Sequence, residues 1–149
     1  MDEVPDPKPR QPTNEELDYA LLQLAKVPVG IAPHWLTPVQ SSPQPEDPLF
    51  IVGHPADGPG TQRLSMDTRA IVGTNGNRTR LRYRTNTLGG SSGSPCFTAD
   101  WQLIALHHGR EPGVKPTYNA GIPFTAILPV LRRRETEKWL GQPSRRKRH

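Results

Sequence analysis

The chain has 149 residues, enough for one domain with one sizeable core. Its 18 prolines, 13 glycines and few aromatic residues argue against a helical bundle, and its single cysteine, Cys96, excludes an intramolecular disulfide. The net charge of +5 collects at the C-terminal end, where residues 132–149 carry eight Lys/Arg against Glu135 and Glu137.

No apolar run is long enough for a signal-peptide core or a membrane span. With the lone cysteine, this leads us to expect a reducing, cytoplasmic setting and no membrane partner. The sequence contains no phosphate-binding glycine loop and no Cys/His cluster, so no cofactor and no metal are expected.

In chain order, residues 1–13 are proline-rich without periodicity and are expected to be disordered. Over 14–25, the run Leu17-Asp18-Tyr19-Ala20-Leu21-Leu22-Gln23-Leu24 can form a short helix capped at Thr13 or Asn14, with Glu15 and Glu16 in its first turn. Residues 27–48 are proline-rich and irregular, and read as a connection. Six short strands follow, at 49–53, 64–73, 78–84, 94–98, 102–108 and 118–123. Separated by Gly, Pro, Asn and Asp turns, they predict an all-β fold, a six-stranded antiparallel barrel.

Within 78–84, Leu81 and Tyr83 alternate with Arg78, Arg80, Arg82 and Arg84, which are expected to face solvent. His107 and His108 are neighbours on a strand, so they point to opposite faces and cannot chelate one ion together. Ile127, Leu128, Leu131 and Trp139 lie among Lys, Arg and Glu, predicting an amphipathic helix from about Leu128 or Pro129 onward. Residues 142–149 form a basic tail. A nucleic-acid binder using the arginines and this tail would show strongly salt-dependent affinity; a solvated strand face is the preferred reading.

The stretch Thr85-Asn86-Thr87-Leu88-Gly89-Gly90-Ser91-Ser92-Gly93-Ser94-Pro95 is not a flexible linker, because alternating apolar strands flank it. Strand, glycine turn bearing serines, then hairpin is a setting for a nucleophile. Gly89-x-Ser91-x-Gly93 also fits a strand-to-helix nucleophile elbow. That elbow must open a helix, whereas Pro95 and a β-type run follow here.

Gly90-Ser91-Ser92-Gly93-Ser94-Pro95 resembles the nucleophile motif of the trypsin/chymotrypsin-like serine proteases. The resemblance runs from about Leu17 to Leu131. It implies Ser92 as nucleophile and the N–H groups of Gly90 and Ser92 as the oxyanion hole, two donors aimed where a carbonyl oxygen becomes negative. It makes Asp18 the carboxylate that orients a histidine; a helix-surface or capping Asp is the other reading. Asn86 and Thr87 fall at the floor of the specificity pocket. The strand at His107, His108 and Gly109 borders that pocket and pairs with the substrate backbone. Ser91 stands where many trypsin-like enzymes carry Asp. Thr87 with His107 is similar to the Thr and His lining the pocket of bacterial glutamyl endopeptidases, implying cleavage after Glu or Asp; His107 facing the core is the alternative.

The family order is His, Asp, Ser, and no histidine precedes Asp18. The resemblance therefore implies the second barrel of a double-barrel fold over 49–141, including a C-terminal helix. Residues 14–48 would be a remnant of the first barrel, otherwise largely missing. Two functions follow. One is a serine endopeptidase working through an acyl-enzyme on Ser92, with its general base absent from this chain. The other is a catalytically inactive module that binds peptides by β-augmentation. Either way the expected partner is a peptide or protein.

Overall fold

A computed structural model describes residues 11–26, 29–30, 42–56, 60–110 and 118–140. Most of 1–13 and of the 27–48 connection, and the basic tail 142–149, lie outside the described residues.

Seven antiparallel strands form one sheet: β1 Leu49–Gly53, β2 Arg63–Asp67, β3 Ile71–Thr74, β4 Leu81–Tyr83, β5 Pro95–Phe97, β6 Leu103–Arg110 and β7 Asn119–Pro123. Their spatial order is β2-β1-β5-β6-β7-β4-β3. The expected all-β architecture with a terminal helix is present. The run 64–73 is two strands rather than one, because Thr68 and Arg69 turn the chain and Asp67 Oδ1 accepts the Arg69 N–H at 2.9 Å.

That turn dictates the shape of the sheet. β2 and β3 lie at opposite ends of the strand order, and laid flat the seven strands would span roughly 29 Å. Three residues between Asp67 and Ile71 bridge at most about 15 Å. The sheet must therefore curl until its edges approach. At the seam Asp47 O accepts from the Ala70 and Ile71 amides, each at 3.1 Å, and the Glu46 amide donates to Ile71 O at 2.8 Å.

The alternation in β1 shows why a curled sheet suits this sequence. Leu49 and Ile51 point inward to Ile71, Leu81, Tyr83, Cys96 and Ile104, while Phe50 and Val52 point outward. The outer face is covered by helix α1, Phe124–Arg133, and by the extended segment around Leu17, Tyr19 and Leu21. That segment is not a helix: beyond one turn at Asn14 and Glu15, closed by the Glu16 N–H on Thr13 O, it runs without regular structure, half-burying the alternate side chains of Leu17, Tyr19 and Leu21. Pro12, at the end of the stretch read as disordered, accepts hydrogen bonds from Asn77 Nδ2 and Thr79 Oγ1 through its carbonyl.

Two further expectations need correction. The strand at 78–84 shortens to β4, since Asn75 closes a turn over 75–80. Its Oδ1 accepts the Arg80 N–H at 2.9 Å and its Nδ2 donates to Thr79 Oγ1 at 3.0 Å. Arg80 is buried there rather than exposed. Helix α1 begins at Phe124, after Pro123, and places Pro129 in its interior on the exposed side. An interior proline costs about 3 kcal/mol. Burying Phe124, Ile127, Leu128, Val130 and Leu131 at about 1.5–3 kcal/mol each outweighs it.

Candidate active site

Strands β5, β6, β7 and β4 lie side by side, with β4 reached from β5 only by the long connection 84–94. Three hairpin-linked strands and a fourth returning beside the first make a Greek key. Its crossing connection is the glycine–serine stretch, so one loop both closes the topology and carries the candidate nucleophile.

Non-local bonds shape the loop. The Gly93 N–H donates to His107 O at 2.7 Å and the His107 N–H to Ser94 O at 2.8 Å, tying the loop to β6. The Ala56 N–H donates to Gly89 O at 2.9 Å from the end of β1. Gly90 has φ +87° and lies so close that a Cβ there would sit 2.7 Å from Ala56 N. Only glycine takes that conformation and that approach together. β5, and not a helix, follows the loop, which removes the nucleophile-elbow reading.

Ser91 and Ser94 are buried, whereas Ser92 is exposed at the crest. The Ser92 hydroxyl donates to His108 O at 3.0 Å. Neither the Gly90 nor the Ser92 amide is used in the hydrogen bonds that shape the described part of the loop. Asp18, ahead of every strand, lies at the same place: its Oδ2 is 3.0 Å from His108 Nδ1.

On the opposite face of β6, His107 is buried between two hydroxyls. Its Nδ1 lies 2.6 Å from Tyr83 Oη and its Nε2 3.1 Å from Thr87 Oγ1. Burial, and secondarily the neighbouring His108, lowers its pKa below the usual imidazole value, so His107 is neutral at pH 7. Burial pushes the Cys96 thiol up to about 12 and the Tyr83 phenol well above its normal range. Both keep their protons.

The structure thus brings Ser92 and Asp18 together at His108, and Thr87 and Tyr83 together at His107, while Gly90 lies in the loop of Ser92 against Ala56. Gly109, φ +146°, sits where the β6–β7 register shifts and the strand bends past the loop. Asn86 is not part of this group: with Arg84 it lines a groove beside Ser65, Met66, Asp67 and Thr68. Sequence reasoning missed Tyr83 as a neighbour of His107. Alternation signals only that Tyr83 points inward, and the strands that bring the two together are joined through β7.

The family model for the trypsin-like peptidase domain matches residues 2–106. Glutamyl endopeptidases of Staphylococcus epidermidis, including those of strains ATCC 12228 and RP62A, are 36% identical to this chain over 75 residues. The match covers 50% of this chain and 24% of each relative, so the alignment spans about a quarter of their length.

Proposed function

The chain belongs to the trypsin-like peptidase domain family, and on that footing we propose that it serves a serine endopeptidase reaction through an acyl-enzyme on Ser92. The observation that carries this reading is the meeting of Asp18 and Ser92 over His108, from positions far apart in the chain. In the reaction, Ser92 Oγ attacks the scissile carbonyl. The Gly90 and Ser92 amides receive the developing oxyanion, and Asp18 holds an imidazole in the tautomer that accepts the serine proton. With no histidine ahead of Asp18, that imidazole is supplied from outside these 149 residues. The chain alone is then nearly inactive, retaining about 10³–10⁴-fold over water from the hole and substrate binding.

The substrate class follows from Thr87 and His107. A neutral hydroxyl and a neutral imidazole leave a buried Lys or Arg side chain uncompensated, which is costly. A Glu carboxylate instead accepts from both and draws a proton onto His107. The glutamyl endopeptidase relatives support this choice.

The test is labelling by a serine-directed fluorophosphonate after adding a first-barrel segment carrying the family's histidine. Labelling that Ser92→Ala abolishes is expected; labelling indifferent to Ser92→Ala overturns the assignment.

A second reading, a peptide-binding module without hydrolysis, is favoured by one observation. The Ser92 hydroxyl and the Asp18 carboxylate both already engage His108. Peptide affinity without labelling in the supplemented protein would establish it.

A further inference from the structure

Four groups form a line from the barrel interior to the loop beside Ser92. Cys96 Sγ lies 3.8 Å from Tyr83 Oη, which lies 2.6 Å from His107 Nδ1, and His107 Nε2 lies 3.1 Å from Thr87 Oγ1. Tyr83 and Cys96 are fully buried, His107 is nearly so, and Thr87 is half-buried at the outer end. Gly121 faces His107 from β7, and a Cβ there would stand 3.3 Å from the Tyr83 hydroxyl, which leaves the phenol room to reach the ring.

We infer that Tyr83 is a specificity-determining positioning residue: its hydroxyl sets which nitrogen of His107 bears the proton, and Cys96 receives that hydroxyl when the ring charges. The inference rests on the pocket reading of Thr87 and His107 given above.

In the free protein Tyr83 O–H donates to Nδ1, so the neutral ring carries its proton on Nε2, aimed at Thr87 and the pocket. A substrate carboxylate arriving at Nε2 favours the imidazolium. Nδ1 then also carries a proton and donates to Tyr83 Oη, and the phenolic O–H turns to Cys96 Sγ, a weak acceptor. No proton leaves the phenol; its O–H only changes partner. The added ring proton comes from solvent. Tyr83 from β4 is the titratable group in contact with His107, with Cys96 from β5 behind it; His108 acts only electrostatically, from the opposite face of β6, while β7 presents Gly121 and the loop presents Thr87. Burial holds the phenol protonated throughout, so it can always donate.

The experiment is nitrogen-15 NMR of the His107 ring in this chain, with Tyr83→Phe and Cys96→Ser beside the wild type. Binding of a peptide amide ending in Glu, and of its Gln twin, is titrated on each. The wild type is expected as the Nε2–H tautomer, and Tyr83→Phe as a mixture of tautomers. The Glu-over-Gln preference should fall roughly ten- to a hundredfold in Tyr83→Phe, the worth of one hydrogen bond to a charged group. Cys96→Ser, a stronger acceptor in the same place, should keep the tautomer and move the His107 titration to higher pH. An Nδ1–H tautomer in the wild type, or a tautomer unmoved in Tyr83→Phe, overturns the inference. If Tyr83→Phe does not fold, a His107 titration unmoved in Cys96→Ser overturns the relay. Equal wild-type affinity for the Glu and Gln peptides instead overturns the pocket reading, and with it the role in specificity. The tautomer result stands apart from that outcome.

Discussion

Asp18 Oδ2 and His108 Nδ1 stand 3.0 Å apart although 90 positions separate them in the chain. Asp18 is mostly exposed and His108 about one-third exposed, so the pair contributes little to stability, on the order of 0–1 kcal/mol. Its value is positional. Asp18→Asn should leave the denaturant midpoint almost unchanged, yet reduce fluorophosphonate labelling of the supplemented enzyme on the order of 10⁴-fold. Unimpaired labelling would remove Asp18 from the mechanism.

Gly90→Ala should harm both fold and reaction. The new Cβ meets Ala56 N at 2.7 Å in a backbone of φ +87°. Strain of about 1–3 kcal/mol is expected in urea unfolding. Displacing one oxyanion donor costs about 10²–10³ in rate. Gly93, also at positive φ but facing open space, should show the strain with a smaller loss of rate when changed to Ala.

His107 makes stability depend on pH. Its folded pKa lies below the usual value of about 6.5, so as pH falls the unfolded chain takes up the proton first. Stability from this group is full above pH 7, declines as pH falls through about 6.5, and levels off below the folded pKa. Urea unfolding between pH 8 and about 5 should show that decline, and His107→Gln should flatten it. Glu46, held below its normal pKa by hydrogen bonds from Arg84 and Arg69, acts only below that window.

Pro129→Ala should stabilise the protein. It returns an N–H to the interior of α1 at an exposed position, where proline costs about 3 kcal/mol relative to alanine. Part of that cost is already absorbed by the helix packing around it. A rise in the urea midpoint at constant slope is expected, whereas a fall would mean that Pro129 packs on something the exposed face does not reveal.

The strands are readable where turn residues bound an apolar run. At 49–53, Leu49 to Val52 are all apolar and stand between Pro48 and the Gly53-His54 pair, and the structure keeps that strand end to end. Reading failed where alternation outlasted the strand. The Arg-x-Arg pattern continues into a turn that Asn75 closes through its side chain, and nothing in a period of two reveals that bond. Pro129 looked like a helix start, but Pro123 stands there, and the packing of Phe124 and Ile127 extends the helix backward. Of the candidate site, the turn that carries Gly90 and Ser92 is legible because neighbouring glycines and serines make it locally. Tyr83 beside His107 depends on register across β4, β7 and β6, which only tertiary pairing sets.

The crossing loop also has a consequence for the order in which the molecule assembles. The β1–β2, β3–β4, β5–β6 and β6–β7 hairpins are local and can form early. The loop amides take their places only when Ala56 reaches Gly89 and β1 reaches β5, pairings between distant parts of the chain. Loop-closure entropy makes such pairings late in all-β folding. A nascent chain therefore carries Ser92 and its glycines before it carries the loop conformation that presents them. That conformation is completed late, and partial unfolding that parts β1 from β5 removes it first.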